Sequence, residues 1–195
     1  MGRPRDLSRD EAIFRAVREL LAQEGYQAIS VNKVTLLCGV HVRTITRRWD
    51  TKAAMVAAAI LGGDAPPFHQ GTPAWPTGRL GPDLRALIGQ VLRYVADPAI
   101  QAALPALLGE IAVNPRVREI FERREEQWTA TVRSVLEHAV ASGDAPARVL
   151  GREQVLARVL AGTAYSLQFA PVGAKDDGMA DEVARFLLAA LLADP

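Results

Sequence analysis

The sequence predicts an all-α protein in two parts, a small N-terminal domain of short helices and a larger C-terminal helical bundle. Three observations carry this. Apolar residues recur every three or four positions along nearly every segment free of glycine and proline. Most of those segments start beside a side chain able to cap a helix and stop at glycine or proline. Between positions 62 and 82, five glycines and five prolines fall within twenty-one residues, so neither a helix nor a central strand persists there. The expected organisation is an N-terminal domain over 1–61, a linker or loop over 62–82 and a helical domain over 83–195.

The N-terminal elements follow in order. Ser8-Arg9-Asp10-Glu11 has the form of a capping box, Ile13, Phe14, Val17, Leu20 and Leu21 make one apolar stripe, and Gly25 closes this first helix. Ser30 caps a second helix, along which Val31, Val34 and Leu37 or Cys38 follow helical spacing, and Gly39 supplies the backbone freedom for a sharp exit. A third helix runs from about His41 to Trp49. Val42, Ile45 and Trp49 face inward on it, leaving Arg43, Thr44, Thr46, Arg47 and Arg48 largely outward. Thr51 caps a fourth helix, Lys52 to Leu61, with Met55, Ala58, Ala59 and Ile60 in its pattern. Two short helices joined by a tight turn, the second carrying basic and hydroxyl side chains, form a helix-turn-helix suited to a DNA major groove.

Charge points the same way. The whole chain carries +1, but residues 1–52 hold ten Lys or Arg against six Asp or Glu, while the remainder holds thirteen against sixteen. Positive charge therefore gathers where the helix-turn-helix lies, as phosphate neutralisation requires.

The run Gly39-Val40-His41, Thr44-Ile45-Thr46, Trp49 and Lys52 resembles the DNA-binding domain of the TetR family of transcriptional regulators. In that family a Gly-Val-Ser turn precedes a Thr-Leu-Tyr helix core, an aromatic residue and a Lys. Gly2-Arg3-Pro4-Arg5 matches the basic arm often found before the first helix, and Gly25-Tyr26 its usual exit. Two positions depart from the pattern: His41 replaces a capping Ser, and Thr46 replaces a phosphate-contacting Tyr. The resemblance covers roughly the first sixty residues. It implies a DNA-binding regulator with a C-terminal domain for an effector and for dimerisation.

In the C-terminal part, Leu84, Leu87, Ile88, Val91, Leu92 and Val95 form a stripe ending near Asp97-Pro98, and Ala99 to Val113 forms a helix that Pro105 starts afresh or kinks. Asn114-Pro115 caps the longest helix, which places Val117, Ile120, Phe121, Arg124, Trp128, Thr131, Val135 and Ala139 on one face until Gly143. Two further helices, about Arg152 to Phe169 and Met179 to Ala193, are unusually apolar. The run from Val183 to Leu192 shows almost no polar face, and Gly162 and Ala164 offer low-profile surface for close packing. A two-fold homodimer through four helices, two from each copy, covers that excess and agrees with the resemblance; the alternative is that the apolar faces are buried within one copy's own core.

Side-chain chemistry assigns the expected contacts. Arg43 and Arg47 carry donor forks suited to guanine O6 and N7, Thr46 suits a hydrogen bond or a thymine methyl, and Val42 a methyl contact. Thr44, Arg48 and Lys52 match the family's phosphate contacts, Ser30 marks a helix start able to meet a phosphate, and Arg3 and Arg5 form an arm for the minor groove. For a small apolar effector, Tyr94, Phe121, Trp128, Tyr165 and Phe169 supply walls, with Gln127, Gln168 and His138 as polar partners, although the same mix describes an ordinary core.

No Gly-rich phosphate loop, His-Glu-x-x-His or Ser-His-Asp arrangement is present, so an enzyme is not expected. Cys38 is the only cysteine, and the three histidines at 41, 69 and 138 lack metal-ligand spacing, so neither disulfide, metal nor cofactor is expected. No stretch reads as a membrane span and the basic N-terminus lacks the apolar core of a secretion signal, so the expected location is cytoplasmic. The function expected is a ligand-responsive repressor binding a palindromic operator on double-stranded DNA as a homodimer. The alternative is a helical ligand-binding or scaffold protein that has lost sequence-specific recognition, since His41 and Thr46 replace favoured residues.

Overall fold

The computed structural model describes residues 7–62, 75–168 and 177–193, and among them the chain is helical without strands. Nine α-helices follow in order: α1 Leu7–Glu24, α2 Val31–Cys38, α3 Val42–Arg48, α4 Lys52–Leu61, α5 Leu80–Ala96, α6 Pro98–Glu110, α7 Pro115–Ala141, α8 Glu153–Gln168 and α9 Asp177–Leu192. They pack as two units. The first contains α1 to α4, α6 and α7 up to Arg124; the second contains α5, α7 from Glu125, α8 and α9. This grouping cuts across the sequence division at 62–82, because α6 packs on α1 and α4 whereas α5 packs on α8 and α9.

In the first unit, α1 buries Ile13, Ala16, Val17, Leu20 and Leu21, and α4 is buried nearly throughout, from Ala53 to Leu61. Ser8 already lies within helix α1, which is described from Leu7, so it has helical backbone and does not take the N-cap place that the sequence reading gave it. The other caps act as their residue types dictate. Ser30 Oγ accepts from Lys33 N at 3.3 Å, Thr51 Oγ1 from Ala54 N at 3.1 Å, and Asp97 Oδ1 from Ala99 N at 2.8 Å. Asn114 Oδ1 accepts from Arg116 N at 3.2 Å, and its amide donates to Thr51 Oγ1 at 3.1 Å. Helix α6 runs without a break through Pro105 and starts at Pro98, where a missing N–H costs nothing.

The second unit has its own core, in which Leu84, Leu87, Ile88 and Val91 of α5 meet Val132, Val135 and Leu136 of α7, Leu156 and Leu160 of α8, and Ala184, Leu187 and Leu191 of α9. Trp75, from the Gly- and Pro-rich stretch before α5, packs against this cluster. Helix α5 begins at Leu80, three residues before the expected domain boundary at 83, with Pro82 tolerated in a first turn whose N–H groups lack helical partners. Its start is fixed by two carboxylates. Buried Asp83 accepts from Thr77 N, Thr77 Oγ1 and Gly78 N at 2.9–3.0 Å, and Asp144 accepts from Leu80 N at 2.7 Å. Asp83→Ala strands those donors, and we expect a loss of about 2 kcal/mol in urea unfolding of the full chain; a change below about 0.5 kcal/mol, the usual range for surface substitutions, would refute the clasp.

Candidate nucleic-acid interface

The helix-turn-helix is built by α2, α3 and the turn between them. Gly39 ends α2 in the left-handed region, φ 69°, and its N–H bonds to the Thr35 carbonyl, so the chain reverses within three residues. On α2, Val34 faces the core, Cys38 is half-buried, and Leu36 and Leu37 are exposed. The stripe left open between Leu37 and Cys38 is thus completed by the cysteine. On α3, Ile45 is fully buried and Trp49 stacks on Phe14 of α1 with ring centroids 5.7 Å apart. Val42, read as inward from its spacing, instead stays 41% exposed. A seven-residue helix has room for one buried turn, and Ile45 with Trp49 fills it.

The exposed side of α3 carries Arg43, Thr46 and Arg47, with Thr44 half-buried. Neither Arg43 nor Arg47 has an ion-pair partner among the described residues, so both guanidinium groups are available to a ligand. Arg43, Thr44 and Arg47 line a surface concavity together with Thr35, His41 and Val42. Thr35 and His41 were not assigned as contacts: His41 stood out only as the replacement for a capping Ser, and Thr35 only by its nearness to the Gly39 turn. The Thr46 hydroxyl donates to the Val42 carbonyl at 3.1 Å, which leaves its methyl and an oxygen lone pair outward.

Expected phosphate contacts divide. Ser30 is exposed at the start of α2. Lys52 donates to the Gln27 carbonyl at 3.1 Å and lies 4.5 Å from the centre of the Tyr26 ring, a cation–π contact. Burial lowers the Lys52 ammonium pKa, and burial, then Glu110, raises that of the Tyr26 phenol. Arg48 is half-buried and forms an ion pair with Asp10 of α1, a partner that the sequence pattern did not reveal. Arg3 and Arg5 lie outside the described residues.

His41 occupies the N-cap of α3 without any side-chain cap bond, and only its carbonyl is used, accepting from Thr44 N and Ile45 N. His41→Ser supplies the missing acceptor. We expect it to stabilise the chain by about 0.5–1 kcal/mol in thermal unfolding, and a destabilised variant would refute the reading.

Candidate effector residues are spread. Tyr94, Gln127 and Tyr165 are half-buried in the second unit, and burial followed by Glu125 raises the Tyr165 phenol pKa. Trp128 is buried there with its indole N–H donating to the Ala157 carbonyl at 3.0 Å, so it acts as a core residue between α7 and α8. Phe121 belongs to the first unit. His138 is exposed on α7, its ring Nδ1 bonded to the Ser134 carbonyl at 2.8 Å. The side chain of Gln168, and all of Phe169, lie outside the described residues. Among the described residues no helix is long and apolar enough to cross a membrane.

A helix-turn-helix whose outer helix exposes Arg43 and Arg47, without ion-pair partners among the described residues, has the form of a helix-turn-helix transcriptional regulator. Residues 13–59 match the family model for bacterial regulatory proteins of the tetR family, and residues 75–187 match that for the tetracyclin repressor-like C-terminal domain. The chain belongs to the TetR family. It is 30% identical over 146 residues to the DNA-binding transcriptional repressor TetR of Mycobacteroides abscessus, spanning 74% of this chain and 70% of that one. It is 27% identical over 156 residues to an uncharacterised helix-turn-helix-type regulator of Mycobacterium tuberculosis, spanning 77% and 74%. Its fold is similar to the crystal structure of the TetR family transcription regulator SCO0332, with TM-score 0.74 and 21% identity over 96% of this chain and 100% of that one. The chain is a DNA-binding transcriptional regulator and not an enzyme.

Proposed function

We propose that the protein is a repressor that binds a palindromic operator as a homodimer and releases it when a small apolar molecule occupies the second helical unit. The observation that carries the DNA part is the exposed Arg43–Arg47 pair, one turn apart on α3 and without ion-pair partners among the described residues. Pairing of two copies is supported by the apolar surface that one copy leaves open: Val155 and Val159 on α8, Phe186 on α9. The Mycobacteroides abscessus relative is named as a repressor, which favours repression over activation. Two reading helices held by a symmetric pair fit half-sites spaced by one or more turns of duplex. An effector that binds one spacing of those helices better than another weakens DNA binding by that difference, and DNA weakens the effector equally.

Selection of duplexes from a random pool by the full chain, followed by anisotropy titration at fixed salt, tests the reading. An inverted repeat is expected. A pool that enriches no motif would favour a helical protein without sequence-specific recognition. Screening apolar compounds for release of the selected duplex then tests the effector.

A further inference from the structure

Helix α3 has only seven residues, lacks a side-chain cap at its N-terminus and packs its backbone chiefly on α2, so its aim depends on what grips its C-terminal end. Two contacts do so, and both come from one face of α1. Phe14 receives the Trp49 ring, and Asp10, one turn earlier, receives Arg48. The Asp10 and Arg48 side chains are only 16% and 18% exposed. Asp10 lies in the first turn of α1 and Arg48 in the last turn of α3, so each charge also offsets the helix-end dipole beside it.

We propose that Asp10 is a positioning residue for DNA recognition: it holds Arg48 away from the phosphate backbone and, through it, sets the angle at which α3 presents Arg43 and Arg47. This rests on the DNA-binding reading above. Arg48 is then a mount rather than a phosphate contact, and removing it leaves the number of phosphates neutralised unchanged.

The test uses the full-length protein and the duplex that the wild-type chain enriches from a random pool, with a scrambled duplex beside it. Asp10→Asn and Arg48→Ala, each confirmed folded by its helical circular dichroism and thermal midpoint, are each expected to lose about tenfold affinity for the enriched duplex. Affinity for the scrambled duplex is expected to hold, and so is the slope of log affinity against log salt. The double variant is expected to be no weaker than either single one, because the two side chains act as a unit. Arg48→Lys, which keeps the charge, is expected to recover part of the loss. The proposal is overturned if Arg48→Ala flattens the salt slope by about 0.9, the loss of one phosphate contact, if Asp10→Asn leaves affinity unchanged or tighter, or if the two losses add. A wild-type chain that enriches no duplex would instead refute the DNA-binding reading on which this rests.

Discussion

Replacing Arg43 and Arg47 together by Ala is expected to lower affinity for the selected operator by at least about a hundredfold at fixed salt, while leaving the variant folded and dimeric. Each guanidinium that meets a guanine edge in bidentate fashion contributes about 1–3 kcal/mol of discrimination, and every 1.4 kcal/mol is roughly tenfold. Both side chains are exposed and without ion-pair partners among the described residues, so truncation removes no internal support. The loss therefore belongs to binding and not to folding. Single substitutions separate the roles further: a base-reading arginine, once removed, relaxes preference at one base-pair position in a repeated selection, whereas a phosphate-binding one weakens all sequences alike and reduces the salt slope by about one. Gel-shift titration against operator and scrambled duplex distinguishes these outcomes. A double variant that binds the operator within threefold of the wild type would remove Arg43 and Arg47 from the interface.

Much of this architecture was legible because it rests on local chemistry. Ser30, Thr51 and Asn114 cap helices through their own neighbours, and Gly39 turns the chain by its own dihedral freedom, so each signal sits within a few residues of its effect. What escaped is non-local. Asp10 and Arg48 are distant in sequence, and an outward helical position cannot reveal that a long side chain folds back to a carboxylate on another helix. Val42 followed the same period as Ile45 and Trp49, yet a helix this short buries only the one turn that meets α1 and α2. The earlier start of α5 was hidden by Gly81 and Pro82, which read as loop residues, because the acceptors that fix it are Asp83 and the distant Asp144. Packing of α6 with the N-terminal helices, tied by the 2.7 Å pair between Arg18 and Asp97, is likewise invisible to periodicity.

Introducing Glu at both Val159 and Phe186 is expected to convert the protein to a monomer at micromolar concentration and, with it, to remove operator binding. Within one copy these side chains have little to do: Val159 is 43% exposed and Phe186 73% exposed. Exposed β-branched and aromatic residues on α8 and α9 are what a surface covered by a second copy would leave open in one copy. Glu is a better helix former than either residue, so α8 and α9 persist and the thermal midpoint of the protomer changes little. A two-fold interface repeats every contact, so the pair of substitutions would place four carboxylates on the apolar surface, and burying charges without partners costs more than the apolar contact returned. A palindromic operator is read by two α3 helices at a fixed spacing, so a monomer retains only half-site contacts and falls toward non-specific affinity. Sedimentation velocity reads the oligomer directly and anisotropy reads the DNA. A variant that still sediments as a dimer would place the pairing surface elsewhere, and a monomer that keeps full operator affinity would separate DNA recognition from pairing altogether.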